Sequence, residues 1–213
     1  MHRVAVIDYG MGNLRSVAKA LETVAPKAHI EVTADPERIL SADHVVFPGQ
    51  GAIGACRAEL NRLELTDVIH TVSAEKPFLG ICIGMQLLLS HSDENGGVDG
   101  LDLFPGNVKH FNLTSSQDTE HLKVPHMGWN QVHQTIKHPL WNDIEQDSRF
   151  YFVHSYFVSP KNESAIAATT DYPETFTSAI QKENVFAVQF HPEKSHHAGL
   201  KLLENFLNWD GQS

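Results

Sequence analysis

The chain has 213 residues and a formal net charge of −10 at pH 7, enough length for one well-packed α/β domain. An acidic balance without a lysine and arginine run gives no electrostatic footprint for nucleic acid. No window approaches the roughly 18 consecutive apolar residues of a membrane span. With 41% hydrophobic and 20% charged residues, the composition is that of a folded chain rather than a disordered one.

The opening "MHRVAVIDYG" is too short in its apolar stretch for a signal peptide and reads as a first strand, so a cytoplasmic location is expected. Cys56 and Cys82 are then expected as free thiols. A glycine-bearing turn, "YGMGN", leads into "NLRSVAKALETVA", where Leu14, Val17, Ala18, Leu21 and Val24 recur at helical spacing. "HIEVT" and "HVVFP" are the next strands, residues 53–75 carry a helical pattern, "PFLGI" is a strand, and "CIGMQLLLSHS" reads as a helix. Strands alternating with helices indicate βαβ units and a parallel sheet.

After about residue 97 the texture changes: "NVKHFN", "NQVHQ", "RFYFVHSYFVSP", "SAIAATTD", "FTSAIQ" and "VFAVQFH" read as successive strands with turns between them. Antiparallel pairing is expected there. "AGLKLLENFLNWD" closes the chain as an amphipathic helix with Leu200, Leu203, Phe206 and Leu207 on one face. With no linker or repeat, one domain over residues 1–213 is expected. Its class is α/β: three layers, a mostly parallel central sheet flanked by helices, and a smaller antiparallel region in the second half.

Four short stretches carry chemistry. "GICIG" places Cys82 between two glycines where a strand turns into a helix, the context of a nucleophile elbow. Taken alone, it is equally the pattern of a buried packing cysteine. "FAVQFHPE" sets His191 at the end of an apolar strand, with Glu193 two positions on; in an extended segment both point to one side, so the carboxylate can orient the imidazole. A strand-end histidine beside a solvated glutamate fits the same residues. "VVFPGQGA" could bring backbone amides to an oxyanion, or be a plain turn. "YGMGN" lacks the third glycine of a dinucleotide loop. Cys56, in "AIGACRAEL", reads as packing. Fourteen histidines raise the question of a metal, but neither cysteine belongs to a Cys-x-x-Cys pair and no metal site is expected.

The elbow, "PGQG" and "FHPE", in this arrangement along the chain, resemble the class I (triad) glutamine amidotransferases over nearly the whole length. Four further stretches, "IDYGMGNLRSV", "PHMGWN", "YFVHSYF" and "FHPEKS", are similar to the glutaminase subunits of imidazole glycerol phosphate synthases of histidine biosynthesis. The resemblance implies that Cys82 attacks the side-chain amide of glutamine, that His191 serves as base and then as acid for leaving ammonia, and that Glu193 orients it. It places the oxyanion against the Ile83 amide and an amide of the turn Gly49, Gln50, Gly51. Rearrangement of the Gly49–Gln50 peptide plane would accompany activation, and Gln50 stands where relatives often carry an aliphatic residue. The glutamine pocket maps onto Gly49, Gly51, Gln86, Glu94, Ser155 and Tyr156. Gln86, four residues past Cys82, shares its helix face.

The resemblance implies no cofactor. It does imply a partner, a (β/α)₈-barrel cyclase that receives the ammonia and makes imidazole glycerol phosphate and AICAR, with Asn13, Met127, Trp129 and Lys194 near that interface. Related readings are an amidotransferase of another pathway such as sugar amination, or a γ-glutamyl hydrolase or cysteine peptidase on the same scaffold. A binding module with a structural cysteine is the non-enzymatic alternative.

Overall fold

A strand whose residues are apolar on both faces needs helices on both sides. That pattern recurs in β1 (Arg3–Ile7), β3 (His44–Gly49), β4 (Phe78–Cys82) and β14 (Val185–Val188), all buried except Arg3. A computed structural model describes residues 2–112 and 123–212. Between these strands run α1 (Leu14–Val24), the edge strand β2 (His29–Thr33), α2 (Pro36–Ser41), α3 (Ile53–Arg62), α4 (Thr66–Glu75) and α5 (Ile83–Leu87). The second half adds β5 (Leu89–Ser92), β6 (Val98–Asp99), β7 (Phe104–His110), β8 (His126–Gln131), β9 (His133–Gln134), β10 (Arg149–His154), β11 (Tyr156–Pro160), β12 (Ile166–Asp171) and β13 (Thr175–Lys182). The last helix is α6 (His196–Asn208).

The main sheet runs β2-β1-β3-β4-β14-β13-β11-β7-β5-β6. Pairing is parallel from β2 to β14, then antiparallel through β13, β11 and β7. β5 pairs with β7 in parallel, and β8 with β10 form a separate antiparallel ribbon. A mostly parallel sheet with an antiparallel second region is therefore the fold, as the pattern of alternating elements indicates. No helix among the described residues is long and apolar enough to cross a membrane.

Three boundaries and one helix face differ from the sequence pattern. Residues 53–75 form two helices: Glu64 takes φ 56°, and the Leu65 amide reaches back to the Leu60 carbonyl at 3.0 Å. That left-handed cap ends α3 without any glycine or proline to announce it. The helix after Cys82 stops at Leu87 and the chain continues as β5. Leu87, Leu88 and Leu89 are all fully buried, and three consecutive buried positions exceed one helix stripe. The run "RFYFVHSYFVSP" is two strands, because the chain leaves the β10 ribbon at Ser155 and joins the main sheet as β11. In α6, Leu202 faces the core with Leu203 and Phe206, and Leu200 is only partly buried.

The junction of β4 and α5 is tightly packed. A side chain on Gly84 would overlap the Phe47 carbonyl, and one on Gly80 would lie 2.9 Å from Ala187 Cβ. Backbone cannot yield there as a flexible side chain would. Gly84→Ala is accordingly expected to cost about 1–3 kcal/mol or more, roughly 2–4 °C of Tm for each kcal/mol. Gly54→Ala is the control: its Cβ would sit at an ordinary 3.4 Å from Val98, within α3, so its Tm is expected to hold or rise. Equal melting of the two variants in a calorimetric scan would contradict this account of the junction.

Candidate active site

The strands β3, β4 and β14 lie side by side and in parallel, so their C-terminal ends converge, the place where open α/β sheets build sites. Gly49 ends β3 in register with Cys82 at the end of β4. Cys82 adopts φ 55° and ψ −112°, a conformation that costs a non-glycine residue on the order of 1–3 kcal/mol. The fully buried Met85 and Leu87, together with Ile81, are each worth about as much, so the packing around the elbow holds the strain. The cysteine is only 4% exposed, and it lines a cleft of about 450 Å³ rather than standing proud of the surface.

Past β14 the chain bends and presents His191, whose Nδ1 lies 2.9 Å from Glu193 Oε1. The pair does not form along an extended strand as the spacing suggests. Residues Pro192–Lys194 are a 3₁₀ turn, which folds Glu193 back under the ring. The loop is anchored by the His191 amide on the Tyr151 carbonyl at 2.9 Å. The Ser195 hydroxyl donates to the His191 carbonyl at 2.6 Å. Cys82 and His191 line the same cleft, and the sulfur is close enough to act on the charge of the ring. Burial opposes charge on His191, but the Cys82 sulfur and then the Glu193 carboxylate outweigh it and hold the imidazole's pKa up at about 10. Among the described residues Glu193 Oε2 is buried without a hydrogen-bond partner, and Oε1 is the oxygen that meets His191.

Around Cys82 the cleft is lined by Gln50, Gly51, Ile83, Gln86, Glu94, Ser155, Tyr156, His191 and Lys194, with Val153 and His154 on one wall. Gln86 is buried, and its amide nitrogen is committed to the Tyr156 carbonyl at 3.1 Å and to Gln189 Oε1 at 3.0 Å. Only its oxygen remains for a bound molecule. Glu94 Oε2 accepts the Ile53 amide at 2.8 Å and so holds the start of α3, just after the 49–51 turn. Asn13 precedes α1 without a side-chain cap, in a loop that runs near the Gly49 turn: a Cβ added at Gly12 would lie 3.7 Å from the Gly49 backbone. Met127 and Trp129 alternate outward on β8 at 63% and 39% exposure, outside the cleft lining. Trp129 stacks on His196 at 4.9 Å, and Lys194 sits 5.8 Å over the Tyr151 ring.

Two residues near the sulfur went unnoticed in the sequence. Gln189 is fully buried and donates to Cys82 Sγ at 3.7 Å while accepting from Gln86. A glutamine inside the apolar run "FAVQFH" is the signal that could have exposed it, since a buried polar group needs a partner. Tyr9, fully buried beside the Gly49 turn, is the other.

A cysteine at a strained elbow, an imidazole on its sulfur and a carboxylate on the ring's far nitrogen form the arrangement of a cysteine–histidine–glutamate acyl-transfer enzyme. The chain belongs to the class-I glutamine amidotransferase family, whose family model matches residues 5–209. Within that family it groups with the imidazole glycerol phosphate synthase subunits HisH. It is 58% identical over 213 residues to the HisH of Nitrosococcus oceani, covering 100% of both chains. To the HisH of Pseudomonas putida it is 55% identical over 212 residues, again covering 100% of both. Among solved structures, PurLQS from Thermotoga maritima shares the fold with a TM-score of 0.70 at 17% identity, over 97% of this chain and 98% of that one.

Proposed function

We propose that this chain, as one amidotransferase domain over residues 1–213, is the glutamine-hydrolysing subunit of an imidazole glycerol phosphate synthase. It is a cytoplasmic enzyme of histidine biosynthesis that supplies ammonia to a (β/α)₈-barrel cyclase, which makes imidazole glycerol phosphate and AICAR. The observation that carries the reading is the Cys82–His191–Glu193 array at the floor of a cleft, in a chain this similar to HisH subunits.

His191 takes the proton of the Cys82 thiol as the sulfur becomes the nucleophile. Cys82 then attacks the side-chain amide carbon. The tetrahedral oxyanion is received by the Ile83 amide and an amide of the Gly49–Gly51 turn; each such donor is worth about 10²–10³ in rate. His191 gives its proton to the departing nitrogen, ammonia leaves, and a γ-glutamyl thioester remains. Water adds to the thioester as its proton passes to His191, and expulsion of the sulfur releases glutamate and restores Cys82 and His191 for the next turnover. Gln86 through its oxygen, with Glu94, Ser155 and Tyr156, receives the substrate's polar ends. This wall fits glutamine, whose amide and α-amino groups need acceptors while its α-carboxylate needs donors.

The docking surface follows from the same geometry. Tyr151 and Val153 on β10 sit opposite Trp129 and Met127 on β8, making one apolar face. Val153 and Lys194 carry that face to the mouth of the cleft, and the Asn13 loop flanks the Gly49 turn. A partner seated there would receive ammonia without its passing through bulk water. An exposed tryptophan of this kind is a typical interface anchor. Trp129→Ala is expected to weaken binding of the barrel cyclase by roughly 30-fold or more while leaving Tm within about 2 °C, because the side chain is outside the core. The deciding test of the function is a coupled assay. Adding the cyclase with its phosphoribosyl ligand should raise glutaminase turnover, and failure to raise it at saturating partner would overturn the assignment.

A further inference from the structure

Pro48 and Gln50 flank the turn that faces Cys82, and each has its carbonyl held by a buried side chain. The Tyr9 hydroxyl donates to the Pro48 carbonyl at 2.7 Å. The Cys56 thiol donates to the Gln50 carbonyl at 3.5 Å. Tyr9 follows β1 and Cys56 lies in the first turn of α3, so two elements on either side of β3 grip the same short stretch of backbone. Both residues are fully buried, which leaves no water to replace either donor. They also adjoin each other, and each has a single proton that one carbonyl takes up.

We propose that Tyr9 and Cys56 are positioning residues that clamp the Pro48 and Gln50 carbonyls and thereby orient the turn amides presented to Cys82. A peptide unit is planar, so fixing the Pro48 carbonyl fixes the Gly49 N–H, and fixing the Gln50 carbonyl fixes the Gly51 N–H. The clamp therefore acts on the two peptides that flank the Gly49–Gln50 peptide. The close fit agrees: a Cβ on Gly49 would lie 2.5 Å from the Tyr9 hydroxyl oxygen and 2.8 Å from Ile83 Cβ. Burial pushes the Tyr9 hydroxyl well above its usual range and the Cys56 thiol up to about 11, so both keep their protons and remain donors at neutral pH. Cys56, a packing cysteine by its sequence context, thus has a second task.

The inference rests on reading the 49–51 turn as the oxyanion cradle, and the test separates the two. The full chain, bound to its barrel partner, is treated with glutamate γ-semialdehyde, whose aldehyde carbon takes up the Cys82 sulfur as a tetrahedral adduct. Backbone ¹⁵N–¹H spectra then follow the Gln50 and Gly51 amides in wild type, Tyr9→Phe, Cys56→Ala and Cys56→Ser. The expected result is a downfield shift of at least one turn amide in wild type. That shift should be halved or less in Tyr9→Phe and Cys56→Ala and largely restored in Cys56→Ser, which keeps a donor. In parallel, kcat for glutamine should fall about tenfold in the first two variants with KM within twofold. Wild-type shifts and kcat in both donor-less variants would overturn the clamp while leaving the cradle standing. So would a loss confined to Tm, which marks packing alone. No amide shift in wild type would remove the cradle reading and the clamp with it.

Discussion

Cys82→Ala is expected to lower glutamine-dependent turnover by on the order of 10⁴-fold or more, since removing a covalent nucleophile leaves only binding and oxyanion contributions. The same variant, paired with its cyclase, should make product from added ammonium salts at close to the wild-type rate, because the cyclase needs ammonia and not the thiol. Loss of both activities would show that Cys82 supports the fold or the docking face and not the chemistry. The strained backbone allows a sharper check. Glycine occupies positive φ at no steric cost, so Cys82→Gly is expected to be as stable as Cys82→Ala or about 1 kcal/mol more so, reversing the usual penalty for glycine. Alkylation gives a third reading: a glutamine-analogue electrophile should label Cys82 and spare Cys56, which is fully buried and held as a thiol by a pKa of about 11.

Glu193→Gln is expected to reduce kcat by on the order of 10²–10³ with a small change in KM, as a loss of the charge that orients and stabilises the imidazolium. Glutamine can still accept from Nδ1, but it puts an NH₂ group where Glu193 Oε2 now lies buried without a partner. Two donors without an acceptor there cost about 1–3 kcal/mol at any pH. A second component depends on pH, and its sign follows from the histidine. His191 titrates at about 10 in the folded protein against an ordinary 6.5, so its charged form stabilises the fold fully below pH 6.5. That contribution is lost as the pH rises through about 10. The Tm gap between wild type and Glu193→Gln should therefore be widest at about pH 6.5 or just below and narrow, without closing, as the pH rises through about 10. A gap that stays constant from pH 7 upward would mean that the carboxylate does not hold the histidine's charge.

Much of the architecture is legible in local patterns. Continuous apolar runs at residues 4–7, 45–48 and 78–82 are what strands buried on both faces require, and the helical spacing of Val17 and Leu21 reads correctly for the same reason. Where reading fails, the deciding contact is distant in sequence. The helical reading runs on past Leu87, yet the chain enters a strand at Leu89 because β7 lies ready to pair with it. Ser155 breaks an unbroken apolar run because two different sheets compete for its neighbours. Trp129 fits core and interface equally well until its exposure on the outer face of β8 is visible.

The candidate site divides along the same line. Residue types and short spacings within the chain already indicate an elbow at Cys82 and a histidine–carboxylate pair at 191 and 193, because each depends on a few adjacent residues. How those pieces act on one another depends on groups from different elements, such as Gln189 against Cys82, 107 residues apart. The charge on His191, the commitment of the Gln86 amide and the grip of Tyr9 and Cys56 on the 49–51 turn all arise from burial and from partners brought together by β1, β3, β4 and β14. Short-range chemistry is written in the order of residues. Electrostatics and orientation come only from folding, since both fall off over a few ångströms and the chain's own order says nothing about which groups come that close.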